Sequence, residues 1–259
     1  MKQIITDIIA NSAVMPGVYR VELESAEFED AEPGQFAMVG CGEENLLRRP
    51  MSIHQLTNKA GKTELALLYK VVGKGTRWLS ERQVGEKLDL LLPLGNGFAI
   101  NPASFNLLLL AGGIGIAPIY FLARRAVKEG HSVRLVLGTQ TARQLYPQKL
   151  LPPEVELITV TEDGSAGKKG RLTDHWLEFT SSADQVFACG PVSMYAAMAQ
   201  QISGLNRKPV YISLEVRMGC GLGICYSCTV KTKQGLKQVC TNGPVFELSD
   251  ILWGELGLS

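Results

Sequence analysis

The chain has 259 residues, 46% of them apolar, with 26 basic against 25 acidic side chains and a net charge of +1. That length and apolar content allow two compact domains and an appendage, and they exclude a disordered or fibrous chain. With the charges balanced and no long basic run, neither nucleic acid nor a membrane surface is expected as a partner.

Met1-Lys2-Gln3-Ile4 has no apolar core with a small-residue cleavage site behind it, so no secretory signal is visible and a cytoplasmic, reducing setting is expected. From residue 1 to about 101 the pattern is short and strand-like: Ile4 to Ile9, Val18 to Leu23, Gln35 to Val39, Met51 to His54, Glu64 to Val72 and Leu88 to Leu92. Pro16-Gly17, Pro33-Gly34, Lys59-Ala60-Gly61 and Gly85 punctuate these runs, which predicts a small antiparallel barrel.

Two stretches of that barrel suit an anionic ligand. Arg48-Arg49-Pro50-Met51-Ser52-Ile53 places two guanidinium groups beside a strand, and alternation sends them to opposite faces, so only one can meet a given ligand. Adjacent arginines are also an ordinary solvated face. The second stretch is Tyr69 to Thr76, with helical spacing over 77–83 and Thr76 as the expected N-cap; glycines before a helix start favour phosphate, and equally form an ordinary turn.

After Pro93-Leu94-Gly95-Asn96-Gly97 and Pro102 the period changes. Leu107 to Leu110, Val133 to Leu137, Val155 to Val160, Val186 to Cys189 and Val210 to Ser213 read as buried strands, with helical patterns at Ala117 to Glu129, Leu172 to Phe179 and Val192 to Ile202. Alternating strands and helices predict a parallel sheet covered on both faces. The 17 uncharged residues from Leu107 to Ala123 approach the length of a membrane span, but Gly112-Gly113-Ile114-Gly115 and Pro118 would interrupt one, so a strand, a glycine turn and a helix explain them better. That turn is where a dinucleotide pyrophosphate approaches main chain, although Pro118 stands where the third fingerprint glycine would be. Leu137-Gly138-Thr139-Gln140 lacks the acidic residue that holds a ribose 2′-hydroxyl, and Arg143 would suit a 2′-phosphate, so NAD and NADP both stay open. Cys189-Gly190-Pro191 ends a strand at the ligand-binding carboxyl edge, though a lone buried cysteine is more often packing.

Cys220, Cys225, Cys228 and Cys240 follow as C-x4-C-x2-C-x11-C. The first spacing gives a loop wide enough to wrap an inorganic cluster and the second places neighbouring thiolates on it, which predicts [2Fe-2S]; a structural zinc site and two disulfides are the alternatives. Thr229 to Val239 alternates about a turn near Gln234, so a hairpin would bring Cys228 and Cys240 together. Gly221 and Gly223 let the loop close with its amides toward sulfide. Nothing reads as a general base, and His54, His131 and His175 read as ordinary surface or core residues.

The R-P-x-S stretch, the Gly73-Lys74-Gly75-Thr76 turn, the Gly112 to Pro118 loop and Cys189-Gly190-Pro191 together resemble the ferredoxin-NADP reductase family over roughly the first 200 residues. With Leu47 to Ile53, Tyr69-Lys70-Val71, Pro93 to Phe98 and Cys220 to Cys225, the whole chain is similar to the electron-transfer subunits of type B dihydroorotate dehydrogenase. The resemblance implies a β barrel plus α/β fold: a flavin-binding antiparallel barrel over 1–101, a parallel-sheet NAD-binding domain over 102–214 and a small [2Fe-2S] domain over 215–259. It implies FAD at Arg49, Pro50, Met51, Ser52, Leu68, Tyr69, Lys70, Gly75 and Thr76. It further implies NAD at Gly112, Gly113, Gly115 and Pro118 with Cys189 near the nicotinamide, and the cluster on the four tail cysteines. The implied partner is an FMN-containing dihydroorotate dehydrogenase subunit in a heterotetramer of two plus two. The nearest rival is the small subunit of a ferredoxin-NADP oxidoreductase or sulfide dehydrogenase, in which an aspartate commonly replaces one cluster cysteine. A non-catalytic module holding zinc is the rival from another class.

Overall fold

A computed structural model describes residues 1–59, 61–202 and 208–255, so Ala60 of the predicted turn and the last four residues of the third expected domain lie outside it. The first part comprises β1 (Lys2–Met15), β2 (Val18–Ser25), β3 (Phe36–Val39), β4 (Arg49–Lys59), β5 (Lys62–Lys70), α1 (Lys74–Ser80) and β6 (Lys87–Leu94). Its six strands close a barrel in the order β1-β2-β5-β4-β3-β6, every neighbouring pair antiparallel. β1 runs well past the predicted Ile9 because irregularities at Ile8/Ala10 and Ala13/Met15 bend it, letting one half pair with β6 and the other with β2. Alternation fills the interior: Val21, Leu23, Ile53, Leu65, Leu67 and Leu88 are fully buried.

The second part comprises β7 (Asn106–Gly112), α2 (Ile116–Lys128), β8 (Ser132–Thr139), β9 (Glu156–Thr161), β10 (Lys168–Lys169), α3 (Leu172–His175), β11 (Gln185–Cys189), α4 (Val192–Gln201) and β12 (Val210–Ser213). The tail adds β13 (Thr229–Thr232), β14 (Gly235–Gln238), α5 (Val239–Asn242) and β15 (Val245–Glu247). The sheet order is β10-β9-β8-β7-β11-β12-β15, parallel except for β15, which returns from the tail to pair antiparallel with β12. Chain direction across the sheet reverses between β7 and β11, so a ligand crevice belongs at the carboxyl ends of those two strands. The uncharged run is β7, its glycine turn and the start of α2, and among the described residues no helix is long and apolar enough to cross a membrane.

β10 and β15 carry no pattern that the sequence reading could use. One is two lysines, and the other is a three-residue edge strand whose partner is 30 or more residues away. One apolar core runs through all three regions, joining Phe36, Met38 and Leu94 of the barrel to Ile212 of the sheet and to Cys228 and Val239 of the tail.

Candidate functional site

The closed barrel has one incomplete ladder, between β4 and β5. β4 and β5 pair from Lys59↔Lys62 to Ile53↔Leu67 and no further, while Arg49 to Ser52 pair only with β3, and Leu68 to Lys70 only with β2. The two strands part there and leave a slot edged by main chain from Arg49, Pro50, Met51 and Ser52 on one side and Leu68, Tyr69 and Lys70 on the other. Unpaired strand edges need partners, and a planar heterocycle with amide-like edges would supply them. Side chains of this set mostly serve the fold: Met51 and Tyr69 point into the barrel core, Leu68 packs between the barrel and α2, and Lys70 is exposed. Tyr69 is held above its ordinary pKa by burial and donates to Asn11 Oδ1 at 3.1 Å.

The two adjacent arginines separate as alternation requires. Arg48 turns to Asp89, with Nη2 2.6 Å from the carboxylate, and is spoken for. Arg49 lies across the start of α1: a Cβ added to Gly75 would stand 3.1 Å from its Nε and 3.2 Å from its Nη2. Its guanidinium donates to Leu47 O and, at 3.3 Å, to Asn45 Oδ1, and stands beside Gly75 as a charge that would suit a pyrophosphate. Thr76 is not the N-cap. The helix begins at Lys74 with Gly73 as its cap residue, because Thr76 Oγ1 reaches back to accept the Val72 and Gly73 amides at 2.9 and 3.2 Å.

At the head of β7, Gly113 to Gly115 form a single 3-10 turn leading into α2, and this turn lies against β5. Gly115 has φ −58, open to any residue, so what it needs is space: a Cβ would fall 2.0 Å from the Cys189 carbonyl oxygen and 2.8 Å from Gly190 N. The glycine turn and Cys189-Gly190-Pro191 thus pack backbone to backbone at the crevice between β7 and β11. Pro118 is the third residue of α2, where a missing N–H costs nothing. The Cys189 thiol is turned toward Ser213 O at 3.8 Å, and burial, then the nearby Glu215, pushes it up to about 12. It is a neutral wall, not a nucleophile. At the end of β8, Thr139 Oγ1 donates to Thr141 O at 2.9 Å and Arg143 is exposed.

In the tail, β13 and β14 form the predicted hairpin, with Val239 N donating to Cys228 O at 3.1 Å, and Cys228 and Cys240 meet at its open end. Gly221 and Gly223 have φ +75 and +77, the left-handed region that frees the loop to close. Amides turn to sulfur: Leu222 N lies 3.3 Å from Cys220 Sγ, Gly223 N 3.2 Å from Cys240 Sγ and Cys240 N 3.5 Å from Cys228 Sγ. Each thiol has another in range: Cys225 lies beside Cys220, and Cys240 beside Cys228 with Cys220 also near. Cys225 is drawn down to about 6 by Ser227 and then by Cys220, whereas burial and then Cys228 push Cys240 up to about 11. Among the described residues no three His, Cys, Asp or Glu side chains close round a single ion position. Four thiols brought together by one closed loop and its hairpin are a donor set that fits the irons of a [2Fe-2S] cluster. All six cysteines are free thiols in this structure.

These three places are contiguous. Gly221 rests on the barrel, where a Cβ would fall 2.7 Å from Met38 Cγ, and Met38 is the register partner of Pro50 on β4. The cysteine loop therefore stands one strand from the slot, and the glycine turn borders the slot from the other side. The Pro93 to Phe98 stretch holds the tail in place: Asn96 N donates to Gly243 O at 2.6 Å. Sequence reasoning missed Met38 and His54, since neither residue type signals that a second domain covers it. Two hollows elsewhere, one lined by Asn106, Arg134 and Ser182 and one by Thr232, Lys237 and Asp250, touch none of these residues.

Comparison with known proteins adds the following. A family model described as the iron-sulfur cluster binding domain of dihydroorotate dehydrogenase B matches residues 215–252, and one described as an oxidoreductase NAD-binding domain matches residues 109–200. The dihydroorotate dehydrogenase B (NAD(+)) electron transfer subunit of Bacillus caldolyticus is 38% identical, over 86% of this chain and 88% of that protein. Its counterpart in Geobacillus sp. (strain WCH70) is 38% identical over 97% and 99%. The solved structure of an NADH-dependent reduced ferredoxin-NADP oxidoreductase superposes with a TM-score of 0.86 at 28% identity, covering 97% of this chain and 91% of that one. Phthalate dioxygenase reductase shares the fold, with a TM-score of 0.68 at 18% identity over 89% and 87%.

Proposed function

Since the chain belongs to the family of electron transfer subunits of dihydroorotate dehydrogenase B, we propose that it carries electrons between NAD and a separate catalytic subunit that oxidises dihydroorotate, in pyrimidine biosynthesis. The chain is an oxidoreductase subunit whose cofactors are FAD, NAD and a [2Fe-2S] cluster. The observation that carries the reading is the slot between β4 and β5, bordered by the glycine turn on one side and standing one strand from the cysteine loop on the other. The alternative, the small subunit of a ferredoxin-NADP oxidoreductase, is less favoured: that structure is 28% identical, against 34 to 39% for the dihydroorotate dehydrogenase B subunits.

We assign FAD to the slot, with main chain of Arg49 to Ser52 and Leu68 to Lys70 meeting the ring and Arg49, Gly75 and Thr76 meeting the pyrophosphate. NAD is assigned to Gly112, Gly113, Gly115 and Pro118 with Cys189 beside the nicotinamide, and the cluster to Cys220, Cys225, Cys228 and Cys240. The corresponding domains are 1–101, 102–214 and 215–259. Bound there, a flavin exchanges hydride with the nicotinamide and single electrons with a [2Fe-2S] cluster, which is why it must stand between them. The residues themselves position and insulate. Arg49 supplies charge to a pyrophosphate, Met38 and Leu94 keep water from the gap between slot and cysteine loop, and the Cys189 thiol closes the nucleotide crevice without reacting. Arg49→Ala is expected to weaken FAD binding roughly 10- to 100-fold, the worth of a charge-assisted hydrogen bond, measured as flavin retained after gel filtration.

The partner of this reading is the FMN-containing catalytic subunit, in a two plus two heterotetramer. What supports docking at the cysteine loop is its exposure: Ile224 is 73% and Tyr226 68% accessible on either side of exposed Cys225, while Cys228 and Cys240 are buried. Exposed apolar side chains beside a redox terminal are what a protein acceptor would cover. Co-expression with that subunit is expected to yield a complex that reduces NAD on addition of dihydroorotate, whereas this chain alone does not. Turnover of dihydroorotate by the isolated chain would overturn the division of roles.

A further inference from the structure

One buried group takes no part in the roles above. His54 lies on β4 two residues beyond Ser52, is fully buried, and is gripped by elements of the other domain. Its Nδ1 is 2.9 Å from the Ala117 carbonyl oxygen in the first turn of α2, and its Nε2 is 3.1 Å from the Tyr146 hydroxyl on the segment after β8. Its face stacks on Tyr120 of α2 with ring centroids 4.3 Å apart and planes 22° from parallel. Burial holds the imidazole down to about 3, so the ring is neutral and carries one proton. A carbonyl oxygen can only accept, so that proton is on Nδ1, and the Tyr146 hydroxyl donates to Nε2. Both nitrogens are committed and the ring cannot turn.

Ala117 lies between Gly115 and Pro118. One side chain from the strand assigned to flavin therefore holds the loop assigned to nucleotide. We propose that His54 is a positioning residue for hydride exchange, its Nδ1–H fixing the glycine loop, through Ala117 O, at a set offset from the flavin strand. The proposal rests on the FAD and NAD assignments above. Apolar packing would hold two domains together as firmly, but it is non-directional, whereas two hydrogen bonds at either end of a flat ring fix offset and angle. Hydride exchange needs that control, since reacting atoms must lie about 3–3.5 Å apart and a 1 Å misplacement can cost on the order of 100-fold.

The test uses the complex with the catalytic subunit, prepared anaerobically. His54→Gln has its amide at the Nε2 position and loses Ala117 O; His54→Asn has it at Nδ1 and keeps that bond. Three quantities are read: flavin content, the saturating rate of NADH oxidation by an artificial acceptor, and the long-wavelength absorbance that appears when NAD is added to reduced protein. We expect His54→Gln to keep its flavin, lose roughly tenfold in rate, the worth of one buried hydrogen bond, and lose the absorbance. His54→Asn, which lacks only the Tyr146 end, is expected to recover the absorbance and all but about threefold of the rate. Tyr146→Phe preserves ring volume, frees one end of the imidazole, and is expected to lose about threefold, which keeps the experiment decisive if His54→Gln does not fold. Wild-type rate and absorbance in His54→Gln or, should that protein not fold, in Tyr146→Phe, with only the melting temperature lowered, would make the histidine mere packing and overturn the proposal. Wild-type protein without flavin, or without the absorbance, would instead overturn the site assignments and take the link with them.

Discussion

Gly115→Ala is expected to cost the protein most of its NADH oxidation while leaving its flavin in place. The added carbon would stand 2.0 Å from the carbonyl oxygen of Cys189 and 2.4 Å from its carbonyl carbon. Those atoms are backbone at the end of β11, an interior strand of the sheet, so no rotamer change relieves the clash, and α2 has to move away from the crevice between β7 and β11. Overpacking of this kind costs about 1–3 kcal/mol, which for a chain of this size lowers the melting temperature by roughly 3–10 °C. The larger effect is on geometry. If the loop seats the nucleotide as proposed, a shift of about 1 Å in it lowers the saturating rate with NADH on the order of 100-fold. Flavin content, assigned above to β4, β5 and α1, is the control. Wild-type kinetics with NADH in this variant would mean that the glycine turn does not seat the coenzyme.

Cys225→Ser is expected to abolish dihydroorotate-dependent NAD reduction by the complex while NADH oxidation by an artificial hydride acceptor continues at the wild-type level. A serine hydroxyl stays protonated where the Cys225 thiol, drawn down to about 6, becomes a thiolate, and the oxygen is a poorer match for iron than sulfur. Acid-labile sulfide, measured on the same preparation, should fall with the coupled rate. Because Cys225 is the exposed member of the set, the substitution leaves the packed side of the lobe, around Cys228, Val230, Val239 and Cys240, as it was. Undiminished coupled turnover would remove the cluster from the route.

What the sequence made legible was local. Alternation gave the barrel strands, and the change of period after Pro102 gave the sheet. The cysteine spacing gave the tail, because each of those signals is carried by neighbours a few residues apart. What stayed hidden was set by partners far along the chain. The N-cap of α1 moved to Gly73 because Thr76 could serve two amides from inside the first turn, a choice that residue type does not reveal. Which arginine of the pair faces the slot was decided by Asp89, about forty residues on. His54 reads as any core histidine until Ala117, Tyr120 and Tyr146 are seen around it. The slot is a register effect, visible only once the ladder between β4 and β5 is known to stop at Ile53↔Leu67.

β15 closes the outer edge of β12, and Leu214 N donates to Pro244 O at 2.8 Å, so the segment that follows β12 is stitched back into the sheet that precedes it. The iron-carrying end is thus no detachable cartridge. A graft that moved it into another reductase would have to bring β12, Met38 and the Pro93 to Phe98 stretch along, and a host stripped of it would be left with a bare, adhesive strand.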